Sequence, residues 1–255
     1  MFVQREEIVP YEAIIPEHKI GVLAPRSIIE NQPYQFYSMA PPGVILVMTP
    51  MGLREFSAAD IERITVGLDE KLDLLMERGV EIIAASGVPL PILLGIEGHD
   101  RLLEHIASYT GVPATSSMEY VVSAAKALGV TKLVVANKWS KEMNQTMAAF
   151  FAREGVEIVG VASEPMQPEE FDKISSKGNA DLAHDLGRRG FTEHPEAEAL
   201  YIGGGSWLSQ PVAEQLEKEF GKPAYCNQDA QLRYLLLRVG IWQPMEGHGK
   251  LLSLP

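Results

Sequence analysis

The stretch Lys19-Ile20-Gly21-Val22-Leu23-Ala24-Pro25-Arg26-Ser27 decides the fold class, because a run of apolar residues ends there directly at a polar turn. A similar stretch, Lys132-Leu133-Val134-Val135-Ala136-Asn137-Lys138-Trp139-Ser140, follows in the second half of the chain. Short apolar runs that alternate with segments of helical period are typical of a parallel sheet covered by helices on both faces. The sequence therefore predicts an α/β protein.

A second pattern also occurs twice. Glu81-Ile82-Ile83-Ala84-Ala85-Ser86-Gly87 resembles Ala199-Leu200-Tyr201-Ile202-Gly203-Gly204-Gly205, and the two pairs of stretches are separated by similar distances along the chain. This spacing favours an ancient duplication of a half-domain. The alternative is the general likeness of any two α/β segments.

The apolar runs and the capping residues predict the remaining elements. Ser57 opens a helix that runs to about Arg78, and Ser140 and Ser209 stand at the N-cap positions of two later helices. The expected strands are residues 19–24, 44–48, 80–85, 132–137, 156–162, 199–203 and 223–225.

The composition narrows the class of function. The chain has 255 residues, of which 46% are hydrophobic, and 34 acidic against 22 basic residues give a net charge of −12. This balance excludes a wholly disordered chain and argues against binding to a nucleic-acid backbone. The single cysteine, Cys226, cannot form an internal disulfide and fits a reducing compartment. Residues 1–7 contain no apolar core of a secretion signal. The apolar runs are too short to span a membrane. We therefore expect a cytoplasmic protein that binds neither nucleic acid nor membranes.

Several common motifs of enzymes are absent from the sequence. It contains no GxGxxG after the first strand, no GxxxxGK[ST], no HExxH and no GxSxG. The sequence thus gives weak support to nucleotide binding, to a metal site or to a serine hydrolase.

The candidate site lies where the expected strands end, since ligands of parallel sheets bind beyond the carboxyl ends of the strands. Four loops occupy this position: residues 25–27, 86–89, 137–139 and 203–206. Glycine-rich loops let backbone N–H groups approach an anion. Arg26 and Lys138 stand at nearly matching places in the two halves and would attract a carboxylate or a dicarboxylate, or else are exposed surface bases.

Several segments in this order together resemble the aspartate/glutamate racemase superfamily, on the branch of arylmalonate decarboxylase and maleate isomerase. They are residues 21–25 (GVLAP), 79–87 (GVEIIAASG), 111–117 (GVPATSS), 127–132 (ALGVTK), Asn144 with 147–151 (MAAFF), and 247–251 (GHGKL). The resemblance implies two flavodoxin-like half-domains with parallel sheets, related by a pseudo-two-fold axis, with the active site in the cleft between them. We expect residues 1–116 plus 226–255 in the first half-domain and residues 117–225 in the second. The resemblance also implies a reaction without a metal or an organic cofactor.

The chain departs from the superfamily at its cysteines. The resemblance implies two catalytic cysteines in racemases and isomerases, and the second of them alone in the decarboxylase. Gly87 stands at the first cysteine position and Gly204 at the second, while Trp139 replaces a tyrosine and Ile28 an asparagine. Cys226 falls in the last strand–helix loop, where we expect a small, partly buried thiol. Two-base racemisation through thiols is therefore excluded.

Without these thiols, Lys138 is the first candidate for the catalytic acid or base, and Glu119 and Tyr225 are further candidates. Glu119 has a structural interpretation as well, as a solvated acid in the first turn of a helix. The expected substrate-binding residues are Pro25, Arg26, Ser86, Gly87, Val88, Pro89, Trp139, Gly204, Gly205 and Ser206.

Three functions are compatible with these residues. The first is a cofactor-independent, decarboxylase-like lyase that acts on a small carboxylate, with an aryl substituent as one option, through an enediolate-like intermediate stabilised by loop amides. The second is an isomerase, hydratase or hydrolase on a similar acid, and the third is a non-catalytic carboxylate-binding relative. In each case the expected partner is a small-molecule carboxylate, and a homo-oligomer is left open. The glycine loops fit all three functions, and their matching positions in the two half-repeats predict that the Gly87 and Gly204 loops face each other across one cleft.

Overall fold

The computed structural model describes residues 15–255, which build two parallel sheets of four strands each. The first sheet contains β1 (His18–Ala24), β2 (Val44–Pro50), β3 (Ile82–Ala85) and β4 (Ala114–Ser116) in the order β2-β1-β3-β4. The second contains β5 (Lys132–Asn137), β6 (Glu157–Ser163), β7 (Ala199–Ile202) and β8 (Ala224–Cys226) in the order β6-β5-β7-β8. The strand order is the same in both sheets, which confirms the α/β class and the two similar halves.

Helices connect the strands. They are α1 (Asn31–Met39), α2 (Ala58–Thr65), α3 (Leu68–Met76), α4 (Pro89–Thr110), α5 (Ser117–Ala127), α6 (Lys141–Arg153), α7 (Pro168–Asp172), α8 (Ser176–Glu193), α9 (Gln210–Phe220), α10 (Asn227–Arg238) and α11 (Gly249–Leu252). Among the helices of residues 15–255, none has both the length and the hydropathy that a membrane span requires. Residues 1–7, which we analysed for a secretion signal, lie outside the described residues.

The strand predictions hold at most positions, with one strand missed. The predicted range 132–137 is that of β5, and the other predicted ranges overlap their strands with ends that differ by one or more residues. β4 was missed because its three residues, Ala114–Ser116, are too few and too polar to form an apolar run. Its pairing with β3 nevertheless completes the first sheet.

The helix predictions need two corrections. The single helix expected from Ser57 to Arg78 is two helices, α2 and α3, because the chain turns at Gly67 with a φ of 71°. Ser57 and Ser140 cap α2 and α6 through their side chains, as predicted. Ser209 precedes α9 without a side-chain cap, and its backbone N–H donates instead to Gln35 Oε1.

Two helices, α5 and α10, each pack in the core of the sheet that they do not directly follow in the chain. α5 follows β4 of the first sheet, but its Val121 belongs to the same core cluster as Leu133 and Tyr201 of the second sheet. α10 follows β8 of the second sheet, and its Leu232 packs in the core of the first sheet beside Ile20. We propose that the chain divides into two half-domains, and these contacts support that division. The first comprises residues 1–116 plus 226–255, and the second comprises residues 117–225. Cys226 stands at the boundary, because it pairs with Ile202 in the second sheet.

Gln35 on α1 is a buried link between the halves. Its Oε1 accepts the backbone N–H groups of Ser209 and Gln210 at 3.0 and 3.1 Å, and its Nε2 donates to the carbonyl of Trp207 at 2.7 Å. The side chain therefore satisfies three backbone groups of the second half that are otherwise buried without a partner.

We expect Gln35→Ala to lower the free energy of unfolding by about 1–3 kcal/mol, because it leaves buried donors and an acceptor unpaired. Urea denaturation followed by circular dichroism measures the change. The matched control is Gln145→Ala on the exposed face of α6, which should leave the unfolding midpoint almost unchanged. Equal midpoints for both variants would contradict the role of Gln35.

Candidate active site

A cavity of about 340 Å³ lies at the carboxyl ends of the strands. Pro25 and Arg26 follow β1, Gly87 follows β3, Lys138 follows β5 and Gly204 follows β7, and all five line the same cavity. Since β1 and β3 belong to one sheet and β5 and β7 to the other, the cavity lies between the two halves. The two glycine loops therefore share one cleft, as the sequence led us to expect.

Most of the residues expected to bind the substrate line this cavity. They are Pro25, Arg26, Ser86, Gly87, Pro89, Trp139, Gly204, Gly205 and Ser206, together with the catalytic candidate Lys138. Val88 is the exception, because its side chain is fully buried in a core cluster with Ile92 and Met118.

Glu119 and Tyr225, expected as further acids or bases, do not line the cavity. The Glu119 carboxylate accepts hydrogen bonds from Thr115 Oγ1 at 2.7 Å and from Tyr234 Oη at 3.4 Å, which direct it between α5 and α10. Tyr225 is fully buried, and its hydroxyl donates to the carbonyl of Val121. Burial raises the pKa of Tyr225 well above its usual value, so it holds its proton. The structure thus removes both residues from the list of acid–base candidates.

The one cysteine of the chain also lies outside the cavity wall. Cys226 is fully buried, and its Sγ lies 3.3 Å from Gln228 Oε1, to which it donates. Burial and the nearby Asp229 raise the pKa of its thiol well above the usual value. Because the thiolate is the reactive form of cysteine, this residue is chemically inert.

The glycines of the two loops have backbone conformations that side chains disfavour. Gly87 has a φ of 86°, and a Cβ at this position would collide with the ring of Pro25. Gly204 has a φ of 132°, and a Cβ there would lie 3.1 Å from the indole of Trp207. Both loops therefore depend on glycine, which brings bare backbone to the cavity.

Two side chains hold the carbonyl groups of the second glycine loop by hydrogen bonds. Gln228 Nε2 donates to the carbonyl of Gly205 at 2.6 Å, and Asn31 Nδ2 donates to that of Ser206 at 2.8 Å. Within residues 15–255 the N–H groups of Gly205 and Ser206 have no hydrogen-bond partner. These two unpaired N–H groups belong to residues that line the cavity.

A pair of buried asparagines holds the loop after β5. Asn137 Nδ2 donates to Asn144 Oδ1 at 2.6 Å, and Asn137 Oδ1 accepts the backbone N–H of Trp139 at 3.0 Å. Asn144 Nδ2 donates in turn to the carbonyl of Trp139 at 3.0 Å. These bonds fix the backbone on both sides of Lys138, and so fix the direction in which its side chain leaves the strand.

The amine of Lys138 is buried in an aromatic environment. The residue is 6% exposed, its Nζ lies over the ring of Phe171, and it is 4.6 Å from the centre of the Trp207 ring. In the described part of the chain Nζ has no hydrogen-bond partner. Burial first, and then the positive charge of Arg26, lower the pKa of Lys138 well below its usual value, while the Asp172 carboxylate acts in the opposite direction.

Arg26 forms an ion pair across the cleft. Its guanidinium contacts the carboxylate of Asp172 at the end of α7, so the pair joins the two halves. The side chain of Asp172 is 56% exposed, which screens the attraction. An incoming carboxylate of a ligand can therefore take the place of Asp172 at modest cost.

Sequence reasoning missed the segment that covers the cavity. This covering segment, residues 166–179, follows β6 and contributes Met166, Phe171, Asp172 and Asn179 to the wall. Its start is attached to the first half, because Gln167 Oε1 accepts the backbone N–H of Phe56 at 3.2 Å. The strand-end rule that nominated the other loops would also have nominated this one, had it been applied to β6.

A polar network lies behind Ser86. Gln32 Nε2 donates to Ser86 Oγ at 2.9 Å and to Gln231 Oε1 at 3.0 Å. The network anchors the serine hydroxyl through an amide, which supplies no base for a nucleophilic serine. Within residues 15–255, no three His, Cys, Asp or Glu side chains are grouped so that they could hold a metal ion.

Comparison with known proteins identifies the family to which the chain belongs. The profile of arylmalonate decarboxylase matches residues 26–252, which is most of the chain and includes every cavity-lining residue named above except Pro25. The chain belongs to the arylmalonate decarboxylase family. Its similarity to individual members is nonetheless low. The arylmalonate decarboxylase of Bordetella bronchiseptica is 22% identical over 189 residues, which cover 74% of this chain and 78% of that protein.

Solved structures of arylmalonate decarboxylase and of two maleate isomerases share the fold. A liganded double mutant of arylmalonate decarboxylase has a TM-score of 0.80 at 20% identity and covers 92% of this chain and 98% of its own. A variant of the maleate isomerase of Pseudomonas putida S16 with maleate has a TM-score of 0.80 at 15% identity, over 92% and 97% of the two chains. A mutant of the maleate cis-trans isomerase of Nocardia farcinica, which holds a covalently bound succinylcysteine intermediate, has a TM-score of 0.78 at 16% identity, over 92% and 98%.

We expect Asp172→Asn to tighten the binding of a small dicarboxylate such as malonate, because the variant removes the competitor for Arg26. For a partly exposed ion pair the expected gain in affinity is about 1.5- to 5-fold. Isothermal titration calorimetry measures it. Glu169→Gln is the matched control, since Glu169 lies on the same helix and pairs with the exposed Lys173. If Asp172→Asn and Glu169→Gln bind malonate equally well, Arg26 is not the anion-binding group.

Proposed function

We propose that this protein is a cofactor-independent lyase that decarboxylates a small dicarboxylate bearing an apolar or aryl substituent. The observation that carries the proposal is Lys138, a buried amine without a hydrogen-bond partner among residues 15–255, which lines the same cavity as a second cation, Arg26. Membership of the arylmalonate decarboxylase family supports the class of reaction.

Binding begins at Arg26. One carboxylate of the substrate replaces Asp172 on the guanidinium, which is a charge-assisted contact suited to a planar carboxylate. The substituent then lies against the apolar side chains that line the cavity, among them Trp139, Phe171 and Leu53. These walls exclude water and favour a substrate with an apolar group.

The charge of the substrate sets the protonation state of Lys138. In the free site, the charge of Arg26 is balanced by Asp172, and burial lowers the pKa of the Lys138 amine well below its usual value. A bound dicarboxylate displaces Asp172 and adds one further negative charge to the cavity. An added negative charge raises the pKa of a nearby amine, so Lys138 takes up a proton from solvent when the dianion binds.

The protonated amine then completes the reaction. The bond between the central carbon and one carboxyl carbon breaks, CO₂ leaves, and the electron pair stays on the central carbon and the remaining carboxylate as an enediolate. The free N–H groups of Gly205 and Ser206 stabilise the developing charge. Lys138 delivers its proton to the central carbon, which yields the monocarboxylate and the neutral amine.

The position of the thiol supports a route without cysteine. A maleate cis-trans isomerase of the same fold holds a succinylcysteine intermediate, which requires a cysteine in contact with the ligand. Here the single cysteine is fully buried and outside the cavity wall. This arrangement favours acid–base chemistry at Lys138 over covalent chemistry at sulfur.

The test is the release of CO₂ from phenylmalonate, with and without Lys138. We expect turnover by the unmodified protein and a kcat that is about 10²- to 10⁴-fold lower for Lys138→Met, because the proton donor is lost, with a smaller effect on KM. The matched control is Lys141→Met, an exposed lysine in the first turn of α6, which should keep kcat. Thermal unfolding of each variant controls for folding.

Three other results would overturn the assignment. A rise in KM at constant kcat in Lys138→Met would make Lys138 a binding group and not the proton donor. Conversion of maleate to fumarate without CO₂ release from phenylmalonate would identify an isomerase. Binding of both acids without turnover would identify a carboxylate-binding protein.

The route also predicts that Cys226→Ser keeps kcat and KM for phenylmalonate within about twofold, since surface and buried changes away from the reacting atoms leave transition-state binding intact. Iodoacetamide should likewise leave turnover unchanged, because the thiol is buried and protonated. Loss of turnover in a variant that unfolds at the same temperature as the unmodified protein would show that Cys226 takes part in catalysis.

A further inference from the structure

The amine of Lys138 differs from the amines of two other lysines, Lys222 and Lys19, which donate hydrogen bonds to backbone carbonyl groups. Lys222 Nζ donates to the carbonyl groups of Pro195 and Ala197 at 2.6 and 2.7 Å, and Lys19 Nζ donates to the carbonyl of Arg78 at 3.0 Å. Lys138 Nζ has rings on its sides and the cavity beside it, and no acceptor among the described residues. An amine that is buried without acceptors is stable as the neutral base.

A neutral amine is a nucleophile as well as a base. A lysine that is desolvated in an apolar pocket, or placed next to another cation, is activated for attack on a carbonyl carbon. Lys138 meets both conditions, since it is only 6% exposed beside Phe171 and Trp207, and Arg26 lines the same cavity. Arg26 is also the group that would hold the carboxylate of a ligand, so the cavity presents an anion-binding group and a nucleophile together.

We propose that Lys138 forms an imine with the carbonyl group of a small oxo carboxylate that Arg26 holds by its carboxylate. This inference deepens the proposed function, on which its choice of a carboxylate ligand rests. The nitrogen lone pair forms a bond to the carbonyl carbon and gives a carbinolamine. The carbonyl oxygen then leaves as water with the two hydrogens of the amine, and the C=N double bond remains.

The net charge of the ligand decides between this chemistry and proton transfer. An oxo monocarboxylate that replaces Asp172 on Arg26 leaves the charge of the cavity unchanged, so the amine stays neutral and can attack. A malonate-type dianion adds one negative charge and draws a proton onto the same nitrogen. One lysine thus serves as a nucleophile toward oxo acids and as an acid toward dicarboxylates.

Reductive trapping tests the inference on the intact protein without any need for turnover. The protein is incubated with pyruvate and sodium cyanoborohydride at pH 7, where hydride adds to the imine carbon and converts it to a stable secondary amine. Peptide mass mapping then locates the label. Each unit by which a pKa is lowered leaves about tenfold more neutral amine at this pH, so we expect Lys138 to be labelled about tenfold or more faster than Lys141.

The controls separate a built site from general lysine reactivity. The excess labelling of Lys138 over Lys141 should shrink at pH 10, where exposed lysines also become neutral. Acetone, which carries a methyl group in place of the carboxylate, should label Lys138 more slowly than pyruvate. Malonate should protect Lys138 from pyruvate by occupying Arg26. Lys138→Arg keeps a cation in the cavity and should carry no label at position 138, with the labelling of Lys141 unchanged.

Equal labelling of Lys138 and Lys141 in the unmodified protein at pH 7 would overturn the inference, whatever the outcome for phenylmalonate. Phenylmalonate has no ketone, so its decarboxylation neither requires nor excludes an imine. Failure of the proposed function and failure of this inference are therefore distinguishable. If acetone and pyruvate label Lys138 at the same rate, Lys138 is still a nucleophile, but Arg26 does not hold the carboxylate of the ligand.

Discussion

The contact between α5 and α10 determines where the two sheets lie relative to each other. The rings of Tyr120 on α5 and Tyr234 on α10 are 6.2 Å apart, and Tyr225 at the end of the second sheet donates to the carbonyl of Val121 on α5. Because α5, which follows the first sheet, packs in the core of the second, and α10, which follows the second sheet, packs in the core of the first, the sheets cannot separate without exposing apolar surface of both cores. The convergence of the strand-end loops on one cavity follows from this exchange of helices.

The cavity places two basic side chains together in an acidic protein. The whole chain carries a net charge of −12, which repels anions, so a binding site for carboxylates requires local donors. Arg26 supplies a guanidinium that Asp172 balances in the free site, and Lys138 supplies an amine whose pKa burial lowers. Under the proposed function the charge on Lys138 depends on the charge of the ligand, which would let the site distinguish monoanions from dianions by charge and not by shape.

The sequence predicted those parts of the fold and site that follow from local pattern. β1 and β5 are long apolar runs that end at polar turns, so both the strands and the positions of Arg26 and Lys138 beyond them could be inferred. β4 could not, since a three-residue strand is defined by its pairing with β3 and has no periodicity of its own.

The errors at the site arise from side-chain direction and from long-range contacts. Tyr225 lies one residue before the end of its strand, but its ring stacks on that of Tyr201 in the core, 5.2 Å away, and so points away from the ligand. Glu119 follows β4 at a strand end, but Thr115 and Tyr234 hold its carboxylate elsewhere. Phe171 and Asp172 enter the site from a segment that no motif marks, and the tertiary structure alone brings them to Lys138 and Arg26.

The packing around the second glycine loop connects Gly204 to the amine of Lys138 through Trp207. The resemblance to the superfamily places Gly204 at a cysteine position, and the space that a Cβ would need there borders the indole of Trp207. The same indole stacks on Phe171 with 6.3 Å between ring centres, and the two rings surround Lys138 Nζ. A side chain at Gly204 would push Trp207 against this stack and open the environment that buries the amine. At Gly87 a Cβ would meet the ring of Pro25, which leads directly into Arg26. Each glycine thus packs against a residue that borders Lys138 or Arg26, so a side chain at either glycine would disturb the surroundings of one of these two bases.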